Sequence, residues 1–139
     1  MVKNGKIDKI YGCLSTGKEA NVYLAETFMN FETLQVETIK KDLAIKVFKT
    51  SILIFKDRER YVSGEFRFRK GHCKGNPRKM VQLWAEKEVR NLKRLNMSEG
   101  LIKAPKPYLQ KNNIIVMEFI GENGVAAPRL KDAEIVDLQ

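Results

Sequence analysis

Leu43-Ala44-Ile45-Lys46-Val47-Phe48 is a short apolar run with a single cation inside it. Val, Ile and Phe favour strands, and so short a run between charged residues fits a strand buried on both faces. An unpaired buried ammonium is costly, so Lys46 needs an explanation. It can snorkel to the surface along its own apolar stem. It can also meet a phosphate on one side and a carboxylate on the other. The order of the elements around this strand has to decide.

The chain has 139 residues and an apolar fraction of 43%, enough for one domain with a real core. No apolar run approaches the ~20 residues of a membrane helix, and Met1 is not followed by a secretory pattern. No membrane contact is expected. Cys13 and Cys73 stand far apart in no paired motif, which favours a reducing, intracellular compartment, cytoplasmic with access to the nucleus. His72-Cys73 offers two metal ligands at most, so no zinc site is assigned. The net charge of +9 and the pI near 9.6 favour phosphates, nucleic acid or an acidic surface as partners.

Tyr11 to Leu14 begins a first strand and Asn21 to Ala25 continues as a second. Between them Ser15-Thr16-Gly17-Lys18-Glu19-Ala20 is a turn of small and polar residues. Gly12 to Glu19 nearly matches a P-loop, but Glu19 stands where Ser or Thr should hold magnesium, and strand character follows where a helix should open. The kinase pattern G-x-G-x-x-G-x-V fits Ser15 to Val22 with only Gly17 kept, Ser15 and Ala20 standing for the outer glycines. An ordinary hairpin turn accounts for the same residues. Ala44-Ile45-Lys46 matches the end of the kinase V-A-I-K motif, whose lysine pairs with nucleotide phosphates and a helix glutamate.

Thr27 to Asp42 reads as a hairpin extension, and Ser51 to Phe55 as the start of a short helix. Asp57 to Lys79 carries eight Lys/Arg against three acids, with Tyr61, Phe66 and Phe68 among them and Gly64, Gly71, Gly75 and Pro77 as breakers. Basic residues with aromatics suit RNA; a solvated loop that orders on binding a partner suits them equally.

Met80 to Leu95 is the clearest helix. Val81, Trp84, Ala85, Val89, Leu92 and Leu95 recur at three and four and form one stripe. Glu88 lies on it, four after Trp84 and four before Leu92. A carboxylate there wants a cation, and Lys46 is the obvious one. Glu88 can also merely border the stripe; Glu86 reaches Arg90 on the exposed side. Gly100, Pro105 and Pro107 mark a loop. Tyr108 to Gln110 is an edge strand, Lys111 to Asn113 its turn, and Ile114 to Met117 a buried strand running into Glu118-Phe119-Ile120-Gly121. Leu130 to Leu138 can form a last helix. The architecture expected is α+β: a twisted antiparallel sheet of about five strands with one major helix packed on it.

Small-residue loop, strand lysine, helix glutamate and hinge strand stand in kinase order, and the details resemble the RIO family of atypical serine/threonine protein kinases, closest to its Rio-one subgroup. The motifs are S-T-G-K-E-A-N-V-Y at Ser15–Tyr23, A-I-K-V-F-K-T-S at Ala44–Ser51, W-A-E-K-E-V-R-N-L-K-R-L at Trp84–Leu95, V-M-E-F-I-G at Val116–Gly121 and A-P-R-L-K-D at Ala127–Asp132. The resemblance implies ATP and Mg2+ as cofactors. It implies that Ser15, Thr16, Gly17, Lys18, Glu19 and Ala20 cover the ATP phosphates, and that Val22 and Ala44 form an apolar lid on adenine. Lys46 would hold phosphates, with Glu88 fixing it. Met117 would be the gatekeeper, the hinge Glu118-Phe119-Ile120 would bond the adenine edge through the Glu118 C=O and the Ile120 N–H, and Pro128 would touch the ribose side.

The same resemblance implies a role in small ribosomal subunit maturation, with pre-ribosomal rRNA as a partner. Ser63, with Tyr61 a hydroxyl residue near the centre of the basic stretch, is a candidate autophosphorylation site in the parent. No H-R-D-like loop and no D-F-G-like Asp follows the hinge, although a complete kinase needs both. Residues 1–121 are therefore expected to form a kinase-like N-terminal lobe with a basic insertion at 57–79. Residues 122–139 would be a hinge and the start of a second lobe, and the chain alone would transfer no phosphate. A basic rRNA-binding module whose nucleotide site only controls docking is the other function these residues allow. A plain scaffold explains the charge but not Lys46 with Glu88.

Overall fold

The computed structural model describes residues 6–50, 76–98 and 102–134. Five strands form one antiparallel sheet: β1 (Lys9–Thr16), β2 (Ala20–Met29), β3 (Val36–Phe48), β4 (Pro107–Lys111) and β5 (Ile114–Glu118), in the order β1-β2-β3-β5-β4. One helix, α1 (Pro77–Asn96), lies between β3 and β4 in sequence. A small hairpin of β6 (Gly121–Glu122) and β7 (Val125–Ala126) follows, and then one 3-10 turn, Leu130–Asp132. This is the α+β architecture expected from the sequence.

The central strand is buried on both faces, as its composition requires. Phe48 packs toward α1, in a cluster with Val81, Trp84, Ala85, Val89 and Ile115. Leu43 and Ile45 face the opposite side, with Ile7, Ala25 and Val116. The alternation of side chains along a strand produces this division. The Phe48 and Trp84 rings sit 5.5 Å apart, tilted by 42°. Truncating Phe48 to Ala would cost about 3–5 kcal/mol, as is usual for a buried aromatic.

Helix α1 starts three residues earlier than the apolar stripe indicates. Asn76 caps it, its Oδ1 accepting from the Arg78 and Lys79 N–H groups at 3.1 and 3.2 Å. Pro77 follows at the first helical position, where its missing N–H costs nothing. Lys93 and Arg94 complement the dipole in the last turn. Met80, Val81, Trp84, Ala85 and Val89 are its buried residues, whereas Leu95 is exposed.

Strand β3 is much longer than the apolar run, because the Thr27–Asp42 stretch pairs nearly throughout. Beyond Thr27↔Lys41 the register slips, so that Met29 meets Val36. The far side of the sheet carries a second cluster that the sequence reading did not foresee. The Phe31 and Tyr108 rings stack there at 5.1 Å and 11°, and Ile7 is only 2% exposed. Of the possible helix Leu130–Leu138, residues 135–138 lie outside the described residues. Within the described residues only the 3-10 turn appears, closed by the Asp132 N–H on the Arg129 carbonyl and by an ion pair between the same two residues. The expected helix at Ser51–Phe55, the insertion's residues 57–75 and Ser63 lie outside the described residues.

Candidate functional site

Lys46 enters from the middle of the sheet. It stands opposite Val22 on β2 and Ile115 on β5. The adjacent row on the same face holds Leu24, Ala44 and Met117. Register alone thus brings Val22, Ala44, Lys46 and Met117 to one face, the face on which α1 packs. Residues paired across antiparallel strands project to the same side, with Cβ atoms about 5 Å apart.

From α1, Glu88 reaches over this face. The Lys46 ammonium donates to both carboxylate oxygens, at 2.7 and 2.9 Å. Each side chain keeps about a quarter of its surface exposed, so the pair is partly open to solvent. The ammonium also lies 4.9 Å above the centre of the Phe48 ring, a favourable cation–π distance. An ammonium has three donors. Glu88 engages two of them, so one remains for a further acceptor. Glu86, the alternative acid, accepts from the Gln82 amide one turn earlier in α1. The placement of Glu88 on the apolar stripe is what aims it at the sheet.

The loop between β1 and β2 is a tight turn. The Gly17 N–H donates to the Ala20 carbonyl at 2.9 Å. Ser15 and Thr16 end β1, Gly17 to Glu19 form the turn, and Ala20 opens β2 beside Phe48. At the end of β5 the Glu118 N–H donates to the Lys106 carbonyl at 2.9 Å, which fixes that end against the segment before β4. Phe119 and Ile120 link β5 to β6, and the Ile120 carbonyl accepts from the Ala127 N–H at 3.0 Å. Pro128 lies exposed beyond β7.

Two lining elements were missed. Leu24 shares the row of Ala44 and Met117, and simple alternation from Val22 reaches it. The β6–β7 hairpin turns at Asn123-Gly124, with φ of 52° and 77°, the positive values that an Asn-Gly hairpin turn needs. A Cβ at Gly124 would stand 3.4 Å from Leu24 Cδ2, which places this turn against the outer end of the row. At Gly121 a Cβ would fall 2.1 Å from the Val125 carbonyl, so no larger residue fits. The Asn-Gly pair was the available sequence signal for the hairpin.

A five-stranded antiparallel sheet, one helix across it and a strand lysine gripped by a helix glutamate define the β-rich lobe of a protein-kinase-like fold. The fold is similar to that of Rio2 kinase from Chaetomium thermophilum, solved as an ADP/Mg2+-phosphoaspartate complex, with a TM-score of 0.60 at 18% identity, covering 98% of this chain and 33% of that one. A family model for the RIO domain matches residues 21–139, and the chain belongs to that family. It is 54% identical over 144 residues to the serine/threonine-protein kinase RIO1 of Saccharomyces cerevisiae, covering 95% of this chain and 30% of that protein. Against the Homo sapiens protein of the same name the identity is 55% over 135 residues, covering 97% of this chain and 22% of that protein. The chain therefore spans less than a third of these two relatives. Among the described residues no group of three His, Cys, Asp or Glu side chains converges to hold a metal ion, and no helix is long and apolar enough to cross a membrane.

Proposed function

We propose that this chain is the ATP-binding lobe of a RIO-type serine/threonine kinase or ATPase. The observation that carries this reading is the partly open Lys46–Glu88 pair on the sheet face that also carries Val22, Ala44 and Met117. The Lys46 side chain is a quarter exposed, and its ammonium keeps a donor for an anion. Val22, Leu24, Ala44 and Met117 offer the apolar surface that a flat base needs. Lys46 would hold phosphate oxygens, with Glu88 orienting its ammonium. Residues Ser15 to Ala20 would pass over the phosphates, the hinge from Glu118 to Ile120 would meet the adenine edge, and Pro128 would border the ribose. ATP with Mg2+ supplies the phosphoryl group when bound. No residue of this chain is assigned to the metal, and none to the base that would activate a hydroxyl, so the chain by itself should transfer no phosphate. Magnesium-dependent transfer by the purified chain would contradict that assignment.

The same reading extends to small-subunit maturation in the cytoplasm or nucleus, supported by the net charge of +9 and by the resemblance to the Rio-one subgroup. The charge also favours a second reading, a basic rRNA-binding module in which nucleotide only controls docking. Cross-linking to RNA with and without ATP separates the two.

The direct test of the first reading is displacement of a fluorescent ATP analogue from the purified chain by ATP. Saturable displacement that weakens with Lys46→Met is expected. Absence of any displacement by unlabelled ATP rules the reading out.

A further inference from the structure

The turn between β1 and β2 is held by Lys49, a residue of the Ala44–Ser51 motif to which no role was assigned. Lys49 lies just past the end of β3. Its ammonium donates to the Gly17 carbonyl at 2.6 Å, and its backbone N–H donates to the Glu19 carbonyl at 2.8 Å. One residue thus bonds two of the three peptides at the tip of the turn. The anchor behind it is firm. The Phe48 N–H donates to the Asn113 carbonyl at 2.9 Å, and the Asn113 side-chain amide returns a bond to the Phe48 carbonyl at 2.8 Å. The Phe48 side chain is buried under α1. The turn is therefore tied through Lys49 and Phe48 to the β4–β5 turn and the core.

From this arrangement we propose that Lys49 is a positioning residue of the phosphate loop. The proposal rests on the nucleotide reading above and adds a residue to it. The physical reason lies in the peptide unit. It is planar and trans, so its C=O and the following N–H point in opposite directions. A small-residue turn is free to flip such a unit and present a carbonyl dipole to an incoming phosphate, which repels it. Lys49 occupies the Gly17 carbonyl with a short, charge-assisted bond and so holds the Lys18 N–H in one direction. The loop is then ordered before nucleotide arrives, and the ordering cost is not charged against binding.

The test compares the purified wild-type chain with Lys49→Met and Lys49→Arg, reading ATP and adenosine affinity at low salt and at 1 M salt. Lys49→Met should bind ATP about tenfold more weakly, the usual effect of losing a charged hydrogen bond, while adenosine, which lacks phosphates, changes less than twofold. Lys49→Arg should recover most of the loss, because its guanidinium reaches the same carbonyl. The defect should persist at 1 M salt, where the Debye length is about 3 Å. A defect that vanishes there shows Lys49 to be a diffuse charge and overturns the proposal. Equal ATP affinity in wild type and Lys49→Met overturns it too, as does an equal loss of ATP and adenosine. Amide exchange at Gly17 without nucleotide gives an independent readout, expected to quicken several-fold in Lys49→Met and to return in Lys49→Arg. Unchanged exchange overturns the proposal. A wild-type chain that binds neither ATP nor adenosine defeats the nucleotide reading and this proposal with it, whereas wild-type binding with an unaffected Lys49→Met defeats the Lys49 role alone.

Discussion

Lys40 and Lys46 lie on the same strand, and each meets a glutamate from a neighbouring element. Lys40 donates to Glu26 Oε2 at 3.1 Å across to β2, and the Tyr11 hydroxyl donates to that same oxygen at 2.6 Å. Lys46 donates to both oxygens of Glu88 on α1. The Lys40 side chain is 59% exposed and that of Lys46 25%. The first cluster is a surface latch between β1, β2 and β3. Water screens it, and such pairs contribute little. The second is shielded by Phe48 and by the helix, and it shares a sheet face with Val22, Ala44 and Met117. Identical residue types one short stretch apart thus take different roles, set by what stands on the other side of the ammonium.

Several substitutions break or sharpen this contrast. The largest effect belongs to Lys46→Met. In a chain carrying the whole RIO domain, phosphoryl transfer should fall by roughly two orders of magnitude or more, since positioning and electrostatics supply most of such catalysis. The melting temperature should move far less, because Glu88 is a quarter exposed and water can reach it. A steady-state assay beside a thermal melt checks both; intact transfer removes Lys46 from the site. Next comes Glu88→Gln, which keeps the charge on Lys46 but loosens its direction. About a tenfold loss is expected, with Glu86→Gln nearly silent in the same assay. If Glu86→Gln is the more damaging, the helix face has been misassigned.

Lys40→Met, on the same strand, should leave ATP affinity within about twofold, because at about 0.15 M ionic strength the Debye length is about 8 Å and the distant charge is screened. A loss comparable to that of Lys46→Met would dissolve the comparison. The smallest effect is in pH. The Tyr11 hydroxyl and then Lys40 hold the Glu26 carboxyl below its usual range. Its contribution to stability is therefore present above the ordinary carboxylate range and is lost as pH falls through the lowered value. The Glu26 carboxylate pushes Tyr11 and Lys40 upward, so their contributions hold below about pH 10 and fade as pH rises through the raised values. Melting curves of wild type and Glu26→Gln should differ by a small, constant amount at neutral pH and converge in acid. A difference that grows on acidification contradicts the assignment.

The parts that sequence made legible are those coded by local periodicity. The 3.6-residue stripe in α1 placed Glu88 on the buried side, and the apolar run from Leu43 to Phe48 announced a strand buried on both faces. The small-residue turn, the hinge strand and the membership of the kinase-like class followed from the order of these elements. Features made by distant residues were not legible. The stacking of Phe31 on Tyr108 joins the β2–β3 turn to β4, far apart in sequence, and the burial of Ile7 depends on residues of several strands. Lys49 was invisible for a different reason. Its partner is a backbone carbonyl, which carries no residue identity. At the start of the possible helix Leu130–Leu138, Leu130–Asp132 forms a 3-10 turn closed by the Arg129–Asp132 ion pair, a local contact that the apolar pattern does not encode.

The central claim is that Lys46 and Glu88 act as one unit on phosphate. A double-mutant cycle on ATP affinity of the purified chain tests it most directly, because residues in contact depart from additivity by about 0.5–3 kcal/mol. Once Lys46 is Met, Glu88 has no ammonium to orient, so Lys46→Met/Glu88→Gln should bind ATP no more weakly than Lys46→Met alone. Losses that multiply in the double variant would show that the two side chains meet in the structure but serve nucleotide independently, and would contradict the account.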